Sequence, residues 1–154
     1  MLEYMVMPFR RYAEFNGRSR RMEYWAFTLL NVIVYAVIAV LALAMGFSLS
    51  TLTDLESGNA SSAALGGGFM LLMGIGGLYF LATFIPGLAV AIRRLHDRDM
   101  SGWWYLGFAV LGMIPFVGWI ASIAFLVILF LPGTPGFNRF GEDPKDPTGA
   151  DVFA

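Results

Sequence analysis

The chain has 154 residues, is 58% hydrophobic, and carries a formal charge of −1 with a mean hydropathy of +0.68. Soluble domains average about 45–50% apolar residues, so too little polar sequence remains here to coat a water-soluble core. It has no cysteine, which excludes disulfides, thiolate metal sites and cysteine nucleophiles, and one histidine, His96, which excludes a zinc site built from His and Cys.

Residues 1–23 form a short, basic, mildly amphipathic segment. Phe9, Tyr12 and Phe15 recur every three residues beside Arg10 and Arg11, which predicts a helix lying on a membrane surface until Asn16-Gly17 breaks it. Ser19 is placed to cap the next helix, and Glu23 and Arg20 to pair on its first turn. Three apolar runs follow, Tyr24–Phe47, Leu65–Ile92 and Gly102–Leu131, none with an ionisable Asp, Glu, Lys, Arg or His. About 20 apolar helical residues cross a bilayer core, so residues 24–131 are read as an all-helical, polytopic transmembrane domain with three hydrophobic blocks.

The first block carries one amide, Asn31, expected to face another helix, and a small-residue strip at Ala39, Ala42 and Gly46. Ala42-Leu43-Ala44 also resembles a signal-peptide cleavage triplet, but the charged region before it and the apolar stretch are both too long. Ser48–Ala64 reads as a loosely ordered loop. In the second block, Gly74, Gly76 and Gly77 are assigned to close helix packing, with a discontinuous helix at a binding site as the alternative. Pro86 is expected to kink this block, with Thr83 helping to satisfy the freed backbone. The third block is interrupted by Pro115 and Gly118. At about 45 Å of helix it is long for one upright span and short for two. A single kinked, tilted span is preferred; a re-entrant or short hairpin, giving four helices, is the alternative. Residues 132–154 form a Pro/Gly-rich acidic tail, expected to be turn-rich and partly disordered.

Eight of the ten Lys/Arg residues fall before the first block or just after the second, and the first loop contains none. By the positive-inside rule the N-terminus is cytoplasmic, the first loop external and the second internal. The side holding the tail is left open.

Three motifs in order add a resemblance. They are Phe15-x-Gly-Arg-x-x-Arg-x-Glu-Tyr-Trp25, then Arg93-Arg-Leu-His-Asp97 followed by Ser101-Gly-Trp-Trp104, and Gly133-x-x-Gly-x-Asn-Arg-Phe-Gly-x-Asp-Pro144. Over residues 10–146 the chain resembles the domain-of-unknown-function 805 family of small bacterial inner-membrane proteins. It departs at Phe140, where a tyrosine is expected, and in a longer insertion around Ser57–Gly68. The resemblance implies a multi-pass protein of the bacterial inner membrane and supplies no catalytic residue.

Arg18, Arg20, Arg21 and Glu23 are expected to approach Arg93, Arg94, His96 and Asp97 on the cytoplasmic face, with opposite charges pinning the first span to the second. The tail motif, Asn138, Arg139, Gly141 and Asp143, would join them if the tail returns inside. His96-Asp97 is the one pair resembling general-base hardware, but it has no recognisable nucleophile beside it. A non-enzymatic scaffold or accessory subunit without a cofactor or resident metal is therefore expected. Its partners would be anionic lipid headgroups and a membrane protein or second copy, not nucleic acid. The second reading is an oligomeric channel or small transport component, disfavoured because transport pathways usually place ionisable groups inside spans.

Overall fold

A computed structural model of the chain describes residues 1–44, 56–58 and 67–145. The first loop, Gly46 of the small-residue strip and the last residues of the tail lie outside the described residues. The described helices, in chain order, are α1 (Leu2–Arg10), α2 (Arg21–Ala44), α3 (Gly67–His96), α4 (Trp103–Gly112) and α5 (Val117–Phe130). Among the described residues there is no strand, only an isolated antiparallel bridge between Asn138 and Gly141. The protein is all-α, and it divides into two compact units: Met1–Thr28 with Ile85–Ala154, and Leu29–Phe84.

Helix α1 ends at Arg10, so Tyr12 and Phe15, expected on its apolar face, lie beyond it. Phe9 does face inward and meets Phe27 edge to face at 5.4 Å. Helices α2 and α3 have 24 and 30 residues. At 1.5 Å per residue these are about 36 and 45 Å long, enough to cross a hydrocarbon core of about 30 Å. Long, apolar segments at Arg21–Leu43 and Met70–His96 meet the length and composition of membrane spans. Their surfaces support the same reading: Leu78 is 70% exposed and Val40 63%. Side chains this apolar need lipid around them.

In the Leu29–Phe84 unit, Tyr35 meets Tyr79 edge to face at 5.6 Å. Gly76 faces α2, with its Cβ position 3.9 Å from Ile38, an ordinary contact distance that would accommodate a methyl group. Gly74 and Gly77, assigned to this packing from sequence, have nothing within 4 Å of a Cβ position. The Thr83 hydroxyl donates to the Tyr79 carbonyl at 2.8 Å, not to the Ala82 carbonyl that Pro86 leaves free. Helix α3 runs unbroken through Pro86, which is fully buried.

The third hydrophobic block is not one kinked span. It is a helical hairpin of 10 and 14 residues, α4 and α5. These are about 15 and 21 Å long, each well short of a crossing. Backbone chemistry makes the reversal. Pro115 has no N–H with which to continue α4. Phe116 then takes φ 65°, ψ −50°, and the Val117 N–H donates to the Pro115 carbonyl at 2.8 Å, a γ-turn. Beyond it, Gly118 lets the arms touch, since a Cβ there would lie 2.5 Å from the Gly112 carbonyl oxygen. Phe125 closes the hairpin against Tyr105 and Phe108, with centroids at 5.8 and 5.1 Å.

The candidate site: a buried arginine–carboxylate cluster

Both ends of the hairpin return to one polar cluster at the C-terminus of α3. Arg93 and Arg94 are fully buried there, and Arg18, Ser19, Glu23 and Asp97 nearly so. Uncompensated charges at such depth would cost several kcal/mol each, so partners must be present. Two carboxylates hold the centre. Glu23 accepts from Arg93 Nη2 at 2.8 Å through Oε1 and from the Ser19 hydroxyl at 2.7 Å through Oε2. Asp97 accepts from Arg18 Nε at 3.0 Å through Oδ1 and from Arg94 Nη1 through Oδ2. Arg93, Arg94 and His96 occupy the last turn of α3, where the helix dipole favours positive charge.

The segment before α2 is threaded into this cluster. The Ser19 N–H donates to the Arg93 carbonyl at 3.1 Å, and Arg93 Nη1 donates to the Glu14 carbonyl. Ser19 thus links to α3 through its backbone and to Glu23 through its hydroxyl. The expected Arg20–Glu23 pair does not form: Glu23 is taken by Arg93, and Arg20 donates to the Pro144 carbonyl. At the rim, Arg11 Nε donates to Glu14 at 2.6 Å. That hydrogen bond holds the Glu14 carboxyl below the usual carboxylate range, against the opposing effect of partial burial.

The tail supplies the remaining acceptors. Arg18 Nη1 donates to the Gly136 carbonyl at 2.6 Å, and its Nη2 to that of Thr134. The Thr134 N–H donates to the Asp97 carbonyl at 2.8 Å. Gly133 passes so close that a Cβ there would overlap the Asp97 carboxylate. Asn138 Nδ2 donates to the His96 carbonyl at 3.0 Å, and its Oδ1 accepts from the Phe140 N–H at 2.9 Å. The Phe140 ring stacks flat on His96, with centroids 3.9 Å apart and planes 4° apart. His96 Nδ1 lies 3.1 Å from the Gly17 carbonyl, so that nitrogen carries the proton. Through Pro144 the tail is a turn-rich strap that shares a surface with Arg18 and Asp97.

The structure thus brings together Arg18, Glu23, Arg93, Arg94, His96, Asp97, Asn138 and Gly141, with Arg20 at the edge. Arg21 and Arg139 lie outside the buried set. Arg21 is exposed and donates to the Phe130 carbonyl at 3.3 Å. Arg139 pairs with the exposed Asp99 at 3.1 Å and lies 4.8 Å over the Phe140 ring. Asp143 only closes a local turn, accepting from the Lys145 N–H at 2.9 Å. Asn31, Gly74, Gly77, Pro115 and Gly118 are elsewhere. Gly133 and Gly136 stood in the tail motif but were not assigned to the cluster, and Thr134 was missed, because their Pro/Gly-rich context looked like linker. Sequence reasoning also missed the carbonyls of Leu129 and Leu131, which accept from Arg94; nothing in a side-chain pattern signals a backbone acceptor. Among the described residues, no group of three or more His, Cys, Asp or Glu side chains could hold a metal ion.

Residues 12–142 match the model of a family described as protein of unknown function (DUF805). Two relatives from Escherichia coli (strain K12) are similar along nearly the whole chain. Inner membrane protein YhaI is 41% identical over 144 residues, covering 94% of this chain and 97% of its own. Inner membrane protein YhaH is 38% identical over 144 residues, covering 94% of this chain and 98% of its own. No solved structure matches. With the family model spanning the cluster, the hairpin and most of the strap, this chain belongs to the DUF805 family, as a helical inner-membrane protein.

Proposed function

We propose that this protein is a non-enzymatic membrane scaffold or accessory subunit that presents a charged cytoplasmic face to a protein partner and to anionic lipid. The observation that carries the reading is that both buried carboxylates of the cluster are engaged within the chain. Each oxygen of Asp97 and Glu23 already accepts a hydrogen bond from within the chain, and His96 is stacked and bonded to backbone. A general base needs a lone pair aimed at a substrate proton; here both carboxylates are buried and already hold arginines and the Ser19 hydroxyl. The arginine-rich flanks support a cytoplasmic N-terminus, and the strap's bonds to Arg18 support a tail on the same side. The exposed Asp99–Arg139 pair and the Arg10 side chain are what this face offers to a protein partner.

Reconstitution tests the reading. Vesicles containing the purified protein should pass ions no faster than protein-free vesicles. In native membranes a specific cross-linked partner should weaken when Asp99 and Arg139 are both changed to Ala. Protein-dependent ion flux would replace the scaffold with the oligomeric channel.

A further inference from the structure

Two arginines at the cluster's edge have no carboxylate. Arg21, at the start of α2, donates to the Phe130 carbonyl at 3.3 Å, and Arg98, just past α3, donates to the Pro132 carbonyl at 2.7 Å. Among the described residues neither has an acidic side chain within ion-pair distance, because Glu23 and Asp97 are committed to Arg93, Arg18 and Arg94. The two guanidiniums thus bond carbonyls two residues apart, at and just past the C-terminal end of α5. Arg94 also donates to the Leu129 and Leu131 carbonyls but has Asp97 as its counter-charge, so about half a negative charge at the helix end is all that faces the other two cations. Each guanidinium has five N–H donors, so most are unspent.

The place has a definite depth. Phe130 is the last residue of α5, where the uncharged run ends and the polar strap begins. Trp25 stacks on Phe130 with centroids 3.9 Å apart, and interfacial tryptophans mark the headgroup level. Both bonds are solvent-facing rather than enclosed. Two forked cations, spare donors and headgroup depth match one occupant in a bilayer, a phosphate ester carrying net negative charge.

We propose that Arg21 and Arg98 together bind the phosphate of an anionic phospholipid at the end of α5. The lipid supplies the counter-charge that the chain lacks there and ties the hairpin's exit to the membrane surface. This deepens the lipid-contact part of the proposed function and rests on it. Its failure leaves the ion-flux test untouched, so the two fail separately.

The test is retention of lipid by the full-length protein in nanodiscs of phosphatidylcholine containing a minor fraction of phosphatidylglycerol, read by native mass spectrometry. The wild type should keep phosphatidylglycerol preferentially. R21Q/R98Q should lose that preference by on the order of tenfold or more, since each arginine near an anionic surface is worth about fivefold. R10Q/K145Q removes the same charge from exposed positions and should lose little. If the double variant does not fold, R21Q alone, at an exposed side chain, should still lose a few-fold. Equal loss in both double variants overturns the site and leaves diffuse charge. Displacement of the lipid by millimolar inorganic phosphate overturns the lipid assignment.

Discussion

Asp97 joins elements far apart in sequence: the segment before α2 through Arg18, α3 through Arg94, and the strap through the Thr134 N–H on its carbonyl. Asp97→Ala would leave two buried guanidiniums without a counter-charge. Breaking a buried pair from one side costs about 3–5 kcal/mol, so thermal unfolding in detergent should fall steeply. Arg139→Ala breaks an exposed pair with Asp99 and should cost less than about 1 kcal/mol in the same assay. The difference is one of burial, since both are ordinary arginine–carboxylate contacts. The charged membership of the cluster was legible in the chain because acids and bases crowd into two short motifs. Who pairs with whom was not. Arg20 and Glu23 have ideal helical spacing, yet a fully buried Arg93 outcompetes an Arg20 that can reach other acceptors.

The hairpin is where pattern reading and three-dimensional geometry diverge. Hydropathy reads Gly102–Leu131 as one uncharged stretch, and nothing in its composition distinguishes a bend from a reversal. The reversal depends on Phe116 at positive φ and on Gly118 beside Gly112, both properties of backbone angle and approach. Gly118→Ala places a methyl against the Gly112 carbonyl and should destabilise by about 1–3 kcal/mol, measured as a loss of thermal stability in detergent. Gly74→Ala meets nothing within 4 Å and should be neutral or slightly stabilising, because alanine is the better helix former. Two glycines in apolar helices, indistinguishable by residue type, thus give opposite outcomes.

A hairpin that enters and leaves on one side predicts that residues 10 and 143 face one compartment. The absence of native cysteine makes this directly measurable. Single-cysteine variants R10C and D143C should react with a membrane-impermeant maleimide from the same side. F116C, at a hairpin tip 15–21 Å of helix away from the cluster, should resist it from both sides. Labelling of D143C only from the face opposite R10C would restore the single kinked span.

Membrane residence, helical class and the crowding of charge into two flanks were all readable from the linear order of residues. Lipid imposes one-dimensional demands: a stretch of about 20 apolar residues and cations at one end. The turn-back of the third block and the docking of the strap on His96 and Arg18 were not readable in that way. They rest on backbone carbonyls used as acceptors, on a γ-turn and on close passes at Gly118 and Gly133. Such features depend on backbone angles and on segments standing within a few ångströms of each other, neither of which a side-chain pattern records.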